Sequence, residues 1–334
     1  MRAMVLRKAA PIEAGPLEWT NWPDPVPGLR EILIQVSVCG VCHTELDEIE
    51  GRIQPRLPII PGHEVVGKIV QSGSEVTQHK RGERVGVAWI HSACGTCSFC
   101  RDDNENLCPG FRGTGCDANG GYAQYMVVSE DFAYPIPQNF SDAEAAPLLC
   151  AGAIGYRDLR LSGVKKGQIL GLFGFGASAH LVIQMARYRG IEVFVFTRSE
   201  EHRRLARKLG AAWTGRPEET PPQKLHAAID FTPIGETVAH GLRALQKGGR
   251  LIIAVIRKRD PVPPLDYVQL LWDEKEIKSV ANITRRDALE FLPLAAEIPI
   301  VPEVEEFDLK EANQALLLLK QGKIQGAAVL TAGC

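Results

Sequence analysis

No run of apolar residues in this 334-residue chain approaches the ~18–20 that a membrane span requires; the longest, such as Leu251–Ile256, stop far short. Charge of one sign is not in excess either. The 38 Lys and Arg face 40 Asp and Glu, a net charge of −2, so no basic field attracts nucleic acid or an anionic membrane. An apolar signal core is missing near Met1, where Arg2, Arg7 and Lys8 interrupt the segment, and the expectation is a cytoplasmic protein. Repeats, low-complexity tracts and Ser/Gly linkers are missing as well. What remains is an ordinary globular composition, 45% hydrophobic and 23% charged, in a length that accommodates two full cores.

Cysteine is not scarce. There are nine, and seven of them precede residue 117. In a chain expected in a reducing compartment, close-spaced cysteines are more often metal ligands than disulfides. Cys94, Cys97, Cys100 and Cys108 form C-x₂-C-x₂-C-x₇-C within a Gly/Asp/Asn-rich stretch. Four thiolates on such a loop close tetrahedrally around one metal and leave no open position, as in a structural zinc site. A four-cysteine iron–sulfur cluster is the rival, because thiolate spacing alone does not choose the metal. Four free surface thiols would be prone to oxidation.

A second set is dispersed: Cys42-His43-Thr44-Glu45, Gly62-His63-Glu64 and Leu149-Cys150-Ala151. Cys42, His63 and Cys150 offer two thiols and an imidazole, the ligand number of a catalytic zinc with one open position. Cys39-Gly40-Val41-Cys42 also admits a redox reading, but no thioredoxin-like βαβ pattern surrounds it. Cys39 is therefore expected to pack in the core. His63-Glu64 does not begin a protease HExxH helix, because position 67 is Gly.

Residues 1–40 alternate apolar and polar positions, most clearly over Glu31–Val38, and read as β-rich, barrel-like material. After Cys150 the pattern changes to buried strands alternating with amphipathic helices, the signature of a parallel sheet. Strands are expected at 169–173, 193–196, 227–231, 250–255 and 277–283, with helices near 181–189, 200–209 and 236–247. Helices near 287–297 and 309–321 and a strand at 327–330 complete the chain. Gly174-Phe175-Gly176-Ala177-Ser178-Ala179 lies between the first of those strands and its helix, the context that a dinucleotide fingerprint requires. Gly174 permits the turn, Gly176 lets a pyrophosphate approach the helix N-terminus, and Ala179 allows close helix–strand packing.

Taken together, GVCHTE at 40–45, GHEVVGKIVQSGSEV at 62–76, CGTCSFC…C at 94–108, LLCAG at 148–152 and GFGASA at 174–179 resemble the zinc-dependent medium-chain alcohol dehydrogenases over essentially the whole length. The resemblance implies an α/β fold in two parts. Residues 1–151 and 288–334 would form a GroES-like, β-rich catalytic domain, and 152–287 a Rossmann coenzyme domain with a doubly wound parallel sheet. It implies two Zn²⁺ per chain, a nicotinamide cofactor, a small alcohol, aldehyde or ketone substrate, and a homodimer or homotetramer. Cys42, His63 and Cys150 would hold the catalytic zinc, with Glu64 able to ligate transiently. Glu45 would orient His63, Thr44 would bond the alcohol oxygen, and His43 would lie near the pyrophosphate. Trp89 matches an aromatic wall of the substrate pocket.

Three departures from the family pattern bear on function. Thr197-Arg198 stands where an acidic residue usually reads the ribose of NAD, so NADP(H) is the favoured cofactor, with Arg203 and Arg204 as possible assistants. Asp47 replaces the usual relay histidine, and a carboxylate with a reference pKa of ~3.9 is a weak base near neutrality. Gly326-Ala327 lacks the arginine that often contacts the pyrophosphate. Ile53 also replaces a pocket tryptophan, which implies a wider pocket. Cys116 and Cys334 are expected to be structural. The alternatives are an NAD-dependent or specialised (polyol, cinnamyl-type) dehydrogenase, and a non-catalytic relative. A zinc-free quinone oxidoreductase would not need the three zinc ligands together.

Overall fold

The alternation at Glu31–Val38 extends into the longest strand of its sheet, Glu31–Val41, with Ile32, Ile34, Val36 and Val38 facing the core. From Cys39 to Val41 both faces are covered, so the strand delivers Cys42 directly into the interior. A computed structural model describes residues 1–298, 300–324 and 326–333 of the chain. Cys334 lies outside the described residues. Two compact units emerge, 1–150 with 283–334, and 151–282.

The first unit is built on a seven-stranded sheet. Glu31–Val41 pairs antiparallel with Val65–Ser72 on one side and with Ala327–Thr331 on the other, Cys39 facing both Val65 and Leu330. The last strand of the chain thus completes the sheet begun by the first forty residues. The helix Ala312–Lys320 leads into it, and Ala312, Ala315 and Leu316 are buried in the same core as Ile12 and Ile49.

Ion pairs fasten this late segment. Lys320 Nζ bonds Glu13 and Glu50, the latter at the end of the helix His43–Ile49. Burial works against the charge of Glu50, but hydrogen bonds from Lys320, Arg52 and the Ile12 amide outweigh it and hold the carboxyl down at about 2. A depressed folded pKa stabilises above the unfolded value near 4.5, and the benefit is lost as pH falls toward 2. Glu50→Gln should cost about 1–2 kcal/mol at pH 7 and little only once the pH has fallen to about 2, read as chemical denaturation midpoints across that range.

The second unit holds a six-stranded parallel sheet. Its order is Trp213–Gly215, Glu192–Phe196, Ile169–Phe173, Leu225–Asp230, Leu245–Ile253 and Glu276–Ser279. Numbered along the chain this is 3-2-1-4-5-6, the doubly wound dinucleotide-binding order. The first of these strands along the chain, Ile169–Phe173, is buried at every residue, as a central parallel strand must be, and Phe173 stacks on Phe196 at 4.2 Å. Several expected elements differ in extent, two of them for a visible reason. The helix from Glu236 ends at Ala244, because Leu245 already pairs with Leu225 and starts the next strand. The final strand stops at Ser279, and Asn282, at φ +59°, turns the chain before Ile283.

Candidate active site

Cys42 caps the N-terminus of the helix His43–Ile49, and Glu45 closes that turn by accepting the Cys42 N–H at 2.9 Å. The other carboxylate oxygen of Glu45 bonds His63 Nδ1. One carboxylate therefore fixes both the helix start and the imidazole orientation. Across the cluster, Cys42 Sγ lies 3.9 Å from Cys150 Sγ, and Thr44 Oγ1 lies 3.7 Å from Cys42 Sγ. His63 and Glu64 are both buried. Gly40 is required here, since a Cβ on it would sit 2.1 Å from a Glu64 carboxylate oxygen.

This donor set fits a zinc ion. One ligand atom from each of Cys42, His63, Glu64 and Cys150 lies within 4.8 Å of the others. Two thiolates at the ~2.3 Å zinc–sulfur distance of a tetrahedral site stand about 3.8 Å apart, close to the separation found. The buried Nε2 of His63 has no hydrogen-bond partner among the described residues, an atom that a metal would satisfy. Hydrogen bonding from Cys150 holds Cys42 well below the usual thiol range, while that same bond and burial push Cys150 up. Burial opposes the charge of His63, but Glu45 and Cys42 raise it well above normal; burial and Cys42 raise Glu64. Trp89 meets the His63 ring edge-on at 5.2 Å and stacks on Phe111 at 6.5 Å.

The Cys94–Cys108 loop closes on itself in the same way. Cys100 Sγ lies 3.9 Å from Cys94 Sγ and 3.6 Å from Cys97 Sγ. Backbone amides donate to the sulfurs, Cys97 N to Cys94 and Gly110 N to Cys108, which suits thiolates. Amides of Thr96 and Cys97 bring Cys94 down to about 6. All four ligand atoms fall within 4.8 Å of one another.

Other candidates stand apart from the two clusters. Cys39 is buried in the sheet core, where burial pushes its thiol well up. Asp47 is bonded to the Arg52 guanidinium, and Ile53 is half-buried, its amide bonded to the Asp47 carbonyl. His43 is exposed. In the second unit Gly174 takes φ +86°, Gly176 caps the helix Ala177–Tyr188, and Ala179 is fully buried. Nothing lies within 4 Å of where a Cβ on Gly176 would point, which leaves room for a ligand at the helix N-terminus. Thr197 is buried and Arg198 exposed at the end of the strand Glu192–Phe196. Arg203 is committed to Glu200 and to the carbonyls of Thr197 and Arg198. Two residues of the first unit were not legible beforehand. Phe111 backs Trp89, and Glu48 lies buried one helical turn after Thr44, a spacing that becomes visible only once His43–Ile49 is known to be helical.

Fold and site define a zinc-binding dehydrogenase with a GroES-like domain and a Rossmann domain. Residues 28–138 match the alcohol dehydrogenase GroES-like domain, and residues 179–297 match the zinc-binding dehydrogenase domain. The chain is 45% identical to the Mycobacterium tuberculosis protein named Probable alcohol dehydrogenase AdhA, over 99% of this chain and 97% of that one. Among solved structures it resembles a cinnamyl alcohol dehydrogenase of Sorghum bicolor at a TM-score of 0.88 and 26% identity, covering 99% and 97% of the two chains. It also resembles the Helicobacter pylori CAD complexed with NADP(H), at a TM-score of 0.88, 25% identity and 99% coverage of both. The chain belongs to the zinc-dependent alcohol dehydrogenases of the medium-chain dehydrogenase/reductase family. It is an oxidoreductase.

Proposed function

We propose that this enzyme moves a hydride between a primary or secondary alcohol and a nicotinamide cofactor, NADP(H) in preference to NAD(H), with aldehyde reduction as the reverse. The observation that carries the reading is the Cys42–His63–Cys150 cluster with its unpartnered Nε2. When bound, zinc supplies Lewis-acid polarisation of the substrate oxygen and the nicotinamide supplies the hydride acceptor or donor. The chain supplies placement. Cys42, His63 and Cys150 hold one metal, Glu64 stands as an alternative ligand, and Glu45 keeps His63 in the tautomer that presents Nε2. The Thr44 hydroxyl, beside Cys42, would hydrogen-bond the alcohol oxygen and accept its proton while passing its own on to water. Trp89 and Ile53 wall the substrate. Cys94, Cys97, Cys100 and Cys108 hold a second, structural zinc.

Coenzyme choice rests on the end of the strand Glu192–Phe196. Thr197-Arg198 presents an exposed guanidinium there, and the nearest acid in sequence, Glu200, is already paired with Arg203 and Arg207. The NADP(H) complex of the Helicobacter relative supports the same preference, and the cinnamyl-type neighbours support an aromatic aldehyde as a second substrate reading. His43 and the Gly174–Ala179 turn would take the pyrophosphate. A homodimer or homotetramer in the cytoplasm is the assembly proposed. Among the described residues no helix is long and apolar enough to cross a membrane.

The test is the initial rate of aliphatic aldehyde reduction with NADPH and with NADH at equal subsaturating concentrations. An NADPH advantage of about tenfold or more is expected, and Arg198→Ala should erase most of it, the scale of one charge-assisted hydrogen bond set. An NADH advantage would keep the enzyme and overturn the role of Arg198.

A further inference from the structure

Past the ends of three strands in the second unit, two backbone hydrogen bonds carry the parallel ladder on by one residue. The Gly174 amide donates to the Phe196 carbonyl and the Thr197 amide to the Gly215 carbonyl, each at 2.8 Å. Phe173, Phe196 and Gly215 are already partners in register. Gly174, Thr197 and Arg216 therefore stand in one row at the carboxyl edge of the sheet, on strands about 4.8 Å apart. Ligands of a doubly wound sheet lie outside that edge, with the pyrophosphate at the glycine turn and the adenosine ribose at the end of the next strand. Arg216 is one strand further along the same row.

The Arg216 side chain is 59% exposed, and its ion pair with Glu218, itself 55% exposed, is 3.9 Å long. An exposed pair of that length contributes little and yields to a stronger partner. The Glu219 carboxylate is held against Gly215 beside the Trp213 ring, where a Cβ on Gly215 would meet both, at 2.8 and 2.2 Å. Two arginines of the helix Glu200–Lys208 are committed. Arg203 bonds Glu200 and two carbonyls, and Arg207 bonds Glu200 and the Thr214 hydroxyl.

The charge of a phosphate monoester decides what such a row lacks. It is about −1.5 to −2 near pH 7, so the single guanidinium of Arg198 leaves part of it unmatched. A second planar fork supplies the remaining charge and further charge-assisted hydrogen bonds. We infer that Arg216 is a second specificity residue for the coenzyme, its guanidinium joining that of Arg198 on a phosphate at the 2′ position of the adenosine ribose. The inference rests on the NADP(H) reading and deepens it. Arg198 and Arg216 reach that phosphate from adjacent strand ends.

The experiment reads binding rather than turnover. Adenosine 2′,5′-bisphosphate and adenosine 5′-monophosphate are titrated calorimetrically into the zinc-loaded enzyme, wild type, Arg216→Ala and Arg216→Lys. The wild type should hold the bisphosphate about tenfold or more tightly than the monophosphate. Arg216→Ala should weaken the bisphosphate about fivefold or more and leave the monophosphate unchanged. Arg216→Lys, which keeps the charge and loses the fork, should recover part of that loss. Thermal midpoints should coincide, because the side chain is exposed. An unchanged bisphosphate affinity in Arg216→Ala would overturn the inference and leave the NADP(H) reading intact. Equal weakening of both nucleotides would also overturn it, since a guanidinium stacked on the adenine gives that result. A wild type that does not distinguish the two nucleotides would remove the NADP(H) reading, and the inference with it.

Discussion

Replacing Cys150 with alanine is expected to lower kcat/KM for alcohol oxidation by at least about a thousandfold while leaving the protein folded. The reasoning starts from the 3.9 Å between Cys42 and Cys150 sulfurs and the unpaired His63 Nε2. Removing one of three ligands leaves a thiol and an imidazole that hold a metal poorly. Lewis-acid polarisation contributes several kcal/mol to such a reaction, and each ~1.4 kcal/mol is a decade in rate. Stability should change little, because Cys150 is half-buried and contributes no large apolar side chain. Metal analysis should find two zinc ions per wild-type chain and one in the variant. Retained activity would remove Cys150 from the metal site.

The converse result is expected in the other cluster. Cys100→Ser should lower the thermal midpoint by about 10 °C, with loss of the second zinc. The stretch from Cys94 to Cys108 has almost no core of its own. Its regular structure is one turn of helix at Ser98–Arg101 and a 3₁₀ turn at Glu105–Leu107, and Phe99 and Leu107 are exposed. The loop is anchored otherwise by Arg285 bonding the buried Glu105. A metal therefore supplies most of its stability, and losing one belongs to the mechanisms that cost about 4–5 kcal/mol. For a unit of this size each kcal/mol moves the midpoint by roughly 2–4 °C. Zinc, not iron, is the expected metal; visible absorbance from the purified protein would show a cluster instead.

Much of this site was legible because its information is local. The C-x₂-C-x₂-C-x₇-C spacing lies within fifteen residues, and the strand–glycine–helix turn at Ile169–Tyr188 within twenty. The dispersed ligands were legible only as short motifs, and their meeting is a property of the fold. What was not legible depends on pairing across long separations. The register of Ala327–Thr331 against Glu31–Val41 joins residues nearly three hundred apart, and no local pattern encodes it. Strand ends moved for a similar reason: Leu245 enters the sheet because Leu225 lies beside it, against the helical pattern that precedes it. Arg203 read as an assistant to Arg198, and its bonds to Glu200 and two carbonyls were not legible. Asp47 read as a weak base in the place of a relay histidine, and its ion pair with Arg52 was not legible. Side-chain partners of this kind are chosen by tertiary packing.

Turnover should depend on the metal that Cys42, His63 and Cys150 would hold. The direct measurement is the rate of aldehyde reduction as zinc is titrated into enzyme from which the more labile metal has been removed by a chelator. The rate should be negligible with one zinc per chain, held in the Cys94–Cys108 loop, and should rise linearly to its full value as the second is restored. Full activity in protein carrying only the loop zinc would contradict the account.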